Sequence, residues 1–249
     1  QRLSLAHVRK HGIQVDLEVE HRVGEGPASI VSLSGAVGNG DEVVVALSGT
    51  MRPLSLDGLA AGLGRDFPVS GDVSGTLQLV GPISDLMVSG SVETAGGPVD
   101  ARVQLNARDP FRRYVVEGNV VGFRLADLLD GVPEETVLTG AFALDGSGSS
   151  VEELDGVGSV ALQASTFGPI ELDAVAVQLR AEAGRLIVEE LAAESPLGSL
   201  TGSGELGLRE GETGEVSVVW AVDSLSALRP MVFGDETIVA DTLTDLERE

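Results

Sequence analysis

In VSGDVSGTLQLVGPISDLMVSGSV, residues 69–92, apolar residues alternate with small or polar ones. Successive side chains of a β-strand point to opposite faces, so this period of two is typical of a strand with one apolar and one polar face. A second stretch, LTGAFALDGSGSSVEELDGVGSV at residues 138–160, repeats the pattern. The chain therefore builds the same half-apolar ribbon more than once.

The same alternation extends over most of the chain. In IQVDLEVE, residues 13–20, every second residue is apolar. Turn-forming clusters such as GNGD at 38–41 and AGGP at 95–98 separate such runs. The pattern predicts an all-β fold, an elongated and curled antiparallel sheet of about a dozen strands with a few short helices. The further runs are 30–37, 42–51, 86–94, 99–106, 114–121, 138–144, 157–164, 170–179, 186–191, 197–208 and 215–222.

Three short segments of helical composition interrupt the alternation, at 54–63, 123–129 and 225–231. They coincide with repeat markers, because Met51–Leu59 aligns without gaps on Val120–Leu128 and the series continues after Val222. We interpret residues 1–249 as one continuous repetitive unit, and as an excerpt of a longer chain. The repeat markers lie near 51–71, 120–140 and 222–239.

Composition narrows the classes of function. The formal net charge is −23 and the chain contains a single lysine, so its surface repels the phosphates of nucleic acids. Aromatic residues make up 3% of the chain and cysteine is absent. Apolar surfaces must therefore consist of Val, Leu, Ile and Ala, and disulfides and cysteine nucleophiles are excluded.

Motifs for catalysis or for cofactor binding are weak. GSGELG at 202–207 matches the dinucleotide fingerprint, but its flanks continue a strand and Glu205 would face the phosphate. His7 and His11 have a metal-binding spacing, although solvated residues at a strand boundary are the simpler interpretation. The many carboxylates leave a glycosidase pair open, but the chain has one Trp and one Tyr for a sugar platform. We expect no enzyme activity, no cofactor and no metal.

Several motifs together resemble the AsmA-like family, and most of all its TamB branch. They are G-x-[IV]-x-[DE]-L-x-V-x-G-x-V at 81–92, the same hairpin with one inserted residue at 148–160, and FRLADLL at 123–129 followed by ETVLTG at 135–140. The resemblance implies a repeating β-groove (a β-taco) in the periplasm of the Gram-negative envelope, in a parent protein anchored in the inner membrane. It further implies phospholipid transport that supports outer-membrane biogenesis, with an outer-membrane β-barrel as partner.

The alternation itself also favours a lipid ligand. A one-sided apolar sheet exposes more apolar area than soluble monomers usually tolerate, and acyl chains would cover it without fixed polar contacts. For any single residue, packing inside a closed sandwich or barrel is an equally good interpretation. By strand parity, the residues expected to line the groove are Val15, Leu17, Val19, Val31, Leu33, Val45, Leu47, Val73, Leu77, Leu79, Val88, Val92, Val103, Leu105, Val116, Val120, Phe142, Leu144, Val160, Leu162, Leu206, Leu208, Val218 and Trp220.

Two other functions compete with a phospholipid conduit. A structural or adhesive β-rich stalk without lipid cargo would pack its sheet faces on each other. A carbohydrate-active β-helix enzyme would need stacked coils of constant length, which the unequal spacing of the repeat markers disfavours.

Overall fold

The computed structural model describes residues 2–9, 12–21, 29–55, 71–128, 131–150, 153–209 and 212–222. It contains a single antiparallel sheet of fourteen strands in which each strand pairs with the next one along the chain. The sheet is open and at most weakly curled, which confirms the all-β, elongated antiparallel fold. The strands are β1 (Arg2–Arg9), β2 (Gly12–His21), β3 (Ser29–Asn39), β4 (Val43–Ser55), β5 (Asp72–Pro82), β6 (Leu86–Thr94), β7 (Gly97–Leu105), β8 (Tyr114–Arg124), β9 (Val137–Ser147), β10 (Asp155–Phe167), β11 (Ile170–Glu182), β12 (Arg185–Ser195), β13 (Gly198–Gly207) and β14 (Glu215–Val222).

The sheet is a single layer over the part of the chain that the structure describes. Extensive contacts link only strands that are neighbours in the sheet. A sandwich or a closed barrel would bury the inner side chains of every strand. Among the described residues, however, the buried hydrophobic side chains are only Val45, Leu86, Phe123, Ala181 and Val188. The apolar side of the sheet is therefore open rather than packed against a second sheet.

β-Bulges recur at equivalent places in the repeat. The pairing of β4 with β5 shifts between Met51 and Leu54, and that of β8 with β9 shifts between Val120 and Phe123. These are aligned residues of the first two repeat markers. A bulge sets two residues against one on the neighbouring strand and increases the local twist. The repeated segment is thus the place where β4 and β8 each bend near their ends.

The strand register also defines which residues of the two repeats correspond. The first pair beyond the bulge is Leu54 with Val73 in one repeat, and Phe123 with Leu138 in the other. VSGTLQL at 73–79 is therefore the structural counterpart of LTGAFAL at 138–144, and the connection before it is longer in the first repeat.

Where the structure describes the interruptions, it contains little helix. Phe123 and Arg124 stay in β8, where they pair with β9, so only a single turn of 3-10 helix forms at Leu125–Asp127. Leu54 and Ser55 similarly belong to β4. The rest of the first expected helix and the whole of the third, 225–231, lie outside the described residues.

β9 pairs irregularly with both of its neighbours, β8 and β10. There, side-chain hydroxyl groups accept hydrogen bonds from backbone N–H groups. The Gly122 N–H donates to Thr139 Oγ1 at 3.0 Å, and the Thr139 N–H donates to Ser165 Oγ at 3.0 Å. The Val137 N–H donates to Thr166 Oγ1 at 3.2 Å. Bulged strands would otherwise leave such donors without partners, which is costly where water has limited access.

Close approach of neighbouring strands yields a stability prediction. A Cβ atom on Gly140 would overlap the carbonyl oxygen of Ala161 on β10. We expect Gly140→Ala to lower the free energy of unfolding by about 1–3 kcal/mol, because the backbone must shift to admit the methyl group. Urea unfolding followed by circular dichroism measures the change. Gly40→Ala is the control, because its nearest atom, the Glu42 carbonyl oxygen, would lie 3.9 Å from the new Cβ; an equal effect of both changes would contradict the explanation.

Candidate apolar binding face

The strand register collects the apolar residues of successive strands into rows. Residues directly opposite each other in antiparallel strands lie on the same face of the sheet. Following these pairs from β2 to β14 gives an unbroken central row. It consists of Leu17, Leu33, Gly49, Leu77, Gly90, Ala101, Gly118, Phe142, Val160, Val177, Leu191, Gly202 and Val218.

A flanking row runs on each side of the central row, two residues away along each strand, except that the bulge in β12 places Val188 three residues from Leu191. None of the three rows contains a charged, hydroxyl or amide side chain, and together we call them the apolar face. One flanking row is Val19, Val31, Met51, Gly75, Val92, Val99, Val120, Gly140, Leu162, Val175, Ala193, Leu200 and Trp220; the other is Val15, Gly35, Leu47, Leu79, Val88, Val103, Val116, Leu144, Gly158, Leu179, Val188, Gly204 and Val216.

Most of the residues expected to line a groove belong to these rows. Val45, Val73, Leu105 and Leu206 lie in the strands β4, β5, β7 and β13, just beyond the rows. Leu208 is not brought into them, because it follows the end of β13, where its N–H donates to the Gly184 carbonyl oxygen at 2.9 Å. Contact of any of these residues with lipid remains a prediction.

Packing within the face explains why its side chains are half-buried without a second layer. Val80 and Val157, which point to the opposite, polar face, are 52% and 53% exposed. Val88 and Val103, on the apolar face, are only half-buried rather than exposed. Because all four are valines, the difference comes from their neighbours, which on the apolar face are larger and apolar.

Large side chains of the face lean over glycines on the adjacent strand. The ring of Phe142 on β9 occupies the space where a Cβ of Gly118 on β8 would lie, and Leu33 Cδ2 would be 2.6 Å from a Cβ of Gly49. The glycines thus let neighbouring side chains spread sideways and cover the backbone. The result is a smooth aliphatic surface.

The apolar face is most exposed at β14, the last strand that the structure describes. Val218 and Trp220 are 49% and 45% exposed. Their cross-strand partners on β13 are Gly202 and Leu200, so Val218 faces a glycine that offers no side chain to shield it. Leu206, near the end of β13, is 40% exposed.

A shallow depression of about 740 Å³ lies on the polar face and was not predicted from the sequence. Its lining includes Gln78, Asp100, Arg102, Glu117 and Asn119, which alternate with residues of the central row. The flanking rows of the apolar face contribute nothing to it. In the sequence, this depression corresponds to small Ser and Ala residues between longer polar ones. Strand alternation alone does not distinguish this pattern from that of an ordinary solvated face.

Three features considered from the sequence can be compared with the described part of the chain: a metal site, a membrane-spanning helix and a dinucleotide loop. Its His, Asp and Glu residues form no group that could hold a metal ion, and none of its helices is long and apolar enough to cross a membrane. Residues 202–207 lie in β13 and are followed by β14 rather than a helix. The side chains of His7, His11 and His21 lie outside the described residues.

One ion pair, which joins the start of β8 to the end of β9, shifts the pKa of its carboxyl group. The Arg113 guanidinium donates through Nε to Asp145 Oδ1 at 3.2 Å and through Nη2 to Asp145 Oδ2 at 2.9 Å. The hydrogen bonds to Arg113 lower the pKa of Asp145. Beside this pair, burial raises the pKa of Tyr114.

Removing the guanidinium tests this pair. In Arg113→Gln we expect the pKa of Asp145 to rise towards its ordinary value of about 3.9, because the charged form loses its donors. The pair stabilises the fold above that pH, and its contribution is lost as the pH falls through the lowered pKa of the folded state. Carbon NMR of the Asp145 carboxyl group measures the shift. Arg112→Gln should leave this pKa unchanged, and an equal change in both variants would contradict the assignment.

Comparison with known proteins gives no match, since no family model, curated protein or solved structure is significantly similar to the chain. The resemblance to the AsmA-like family therefore rests on the sequence motifs alone.

Proposed function

We propose that the apolar face holds the acyl chains of phospholipids, and that the chain is a segment of a bridge-like protein that carries these lipids across the envelope. The observation that supports the proposal is the unbroken set of three rows from β2 to β14, without one charged, hydroxyl or amide side chain. An open face of this kind is unfavourable in water, and acyl chains remove it from water.

The dimensions of the face suit this ligand. With strands about 4.8 Å apart, the rows from β2 to β14 extend over roughly 55–60 Å. The hydrocarbon core of a bilayer, which is two acyl chains thick, measures about 30 Å. The face is thus several acyl chains long, and each buried CH₂ group contributes about 0.8 kcal/mol.

The chemistry of the face supports movement rather than tight storage. Without polar partners inside the rows, one position of a tail along the sheet is nearly equivalent to the next, and side chains that lean over glycines smooth the path. A location in the periplasm, between an inner-membrane anchor and the outer membrane, and a role in outer-membrane biogenesis, follow from the family resemblance and are part of the same proposal.

Recovery of lipid with the purified protein tests the proposal. We expect phospholipid to co-elute with the wild-type chain, and Leu77→Asp, on the apolar face, or Leu105→Asp, just beyond it, to lower its amount by roughly fivefold or more, because a carboxylate that acyl chains would cover is costly to desolvate. Extraction followed by mass spectrometry measures the lipid.

The matched control is Thr76→Asp, which introduces the same charge beside Leu77 but on the polar face. It should leave the lipid content unchanged. Wild-type protein that is free of lipid after gentle extraction would reject the conduit and favour the structural or adhesive stalk. All variants are checked by circular dichroism, so that loss of lipid is separated from loss of fold.

Photo-crosslinking distinguishes the two faces directly. A photoreactive phenylalanine analogue at Leu79 should form adducts with phospholipid in cells or in lipid extracts, because Leu79 belongs to a flanking row of the apolar face. The same group at Val80, the next residue, points to the polar face and should form few. Equal yields of lipid adducts at the two positions would refute a one-sided lipid site.

A further inference from the structure

One hairpin loop at the sheet margin is chemically different from the rest of this acidic chain. The segment NARDPFRR, residues 106–113, joins β7 to β8, and we call it the basic loop. It holds three of the 16 basic residues of a chain whose net charge is −23. Arg108, Phe111 and Arg112 are all exposed, Phe111 by 43%.

Hydrogen bonds fix the shape of the basic loop. The Arg108 N–H donates to Asn106 Oδ1 at 3.0 Å, and the Arg112 N–H donates to the Asp109 carbonyl oxygen at 3.3 Å. The Gly148 N–H donates to the Phe111 carbonyl oxygen at 2.8 Å and ties the loop to the neighbouring hairpin. The exposed side chains are therefore presented on an ordered turn.

Two guanidinium groups of the loop have no carboxylate partner among the residues that the structure describes. Arg113 is bound by Asp145, whereas neither Arg108 nor Arg112 forms an ion pair within the described residues. At the same margin, Arg185 and Arg209 are paired with Glu205 and Glu212. Asp109, also in the loop, offsets one positive charge, which leaves a short-range site for an anion instead of a strongly positive surface.

The loop lies at the end of the apolar face. At its base, Leu105 pairs across the ladder with Leu86 on one side and with Tyr114 on the other. Leu86 is buried and Tyr114 is half-buried. Over a few residues the side chains thus change from aliphatic to aromatic to guanidinium. This order matches an amphiphile whose tail lies on the sheet and whose phosphate lies at the ends of the strands.

We propose that the basic loop holds the phosphate of a phospholipid whose acyl chains lie on the apolar face, with Arg108 and Arg112 as donors. This inference rests on the proposed function. The guanidinium fork suits phosphate oxygens. A phospholipid with a zwitterionic headgroup has no net charge, so the acidic chain does not repel it as it would repel a nucleic acid or an anionic bilayer.

A pair of lipids that differ only in the headgroup tests the inference. Phosphatidylethanolamine and diacylglycerol with the same pyrene-labelled acyl chain are presented to the full chain from detergent micelles, and binding is followed by fluorescence. We expect wild type to bind phosphatidylethanolamine roughly tenfold more tightly than diacylglycerol. The double variant Arg108→Gln/Arg112→Gln should lose this preference and keep its affinity for diacylglycerol.

The matched control is Arg52→Gln/Arg102→Gln, which removes two exposed arginines of strands β4 and β7 that form no ion pair among the described residues. It should keep the preference. Equal affinity of wild type for the two lipids, or a preference that survives in Arg108→Gln/Arg112→Gln, overturns the inference but not the proposed function. Failure of wild type to bind either lipid overturns both.

Inorganic phosphate serves as a separate probe. If wild type binds it saturably without lipid, Arg108→Gln/Arg112→Gln does not, and wild type shows no preference for phosphatidylethanolamine over diacylglycerol, the loop is a site for free anions and the lipid assignment is wrong. Both substituted arginines are exposed and form no ion pair in the described part of the chain, so we expect the variant to fold; circular dichroism establishes this before binding is measured.

Discussion

The fold depends on one constraint, which is that neighbouring strands pair in the register that places apolar residues opposite apolar residues. Since side chains alternate along a strand, a slip by one residue would move every apolar side chain of that strand to the polar face. The bulges respect this constraint. Beyond them, Leu54 lies opposite Val73 and Phe123 opposite Leu138, so the bulged strands bend without mixing the two faces.

A single-layer sheet has no opposing layer to fill its apolar side, so cohesion must come from within the face. Phe142 over Gly118 and Leu33 over Gly49 illustrate how this happens, because each large side chain covers the backbone that a glycine leaves bare. Such packing shields valines partly and leaves the face accessible. Stability is then shared between neighbouring strands, much as in repeat proteins, where each unit contacts only the next.

Strand alternation could be predicted from the sequence because it is local, and the rows follow once each strand pairs with its neighbour. Other features depend on contacts between strands that no single segment encodes. FRLADLL has the composition of a helix, yet pairing with β9 keeps Phe123 and Arg124 in a strand. The depression around Arg102 likewise arises from adjacent strands, and the free guanidinium groups of the basic loop become evident only when the ion pairs are known.

The arrangement of strands separates two kinds of recognition. Along the rows the surface repeats from strand to strand, so if it holds acyl chains as we propose, it offers them no preferred position and cannot by itself distinguish one phospholipid from another. Polar groups can meet a ligand on the apolar face only where strands end, because the rows contain none. Selectivity for a headgroup, and any resistance to sliding, must therefore come from the margins. The turn that carries Arg108 and Arg112 beside Leu105 and Tyr114 is such a position, and a phosphate bound there would slow the sliding of the lipid along the sheet.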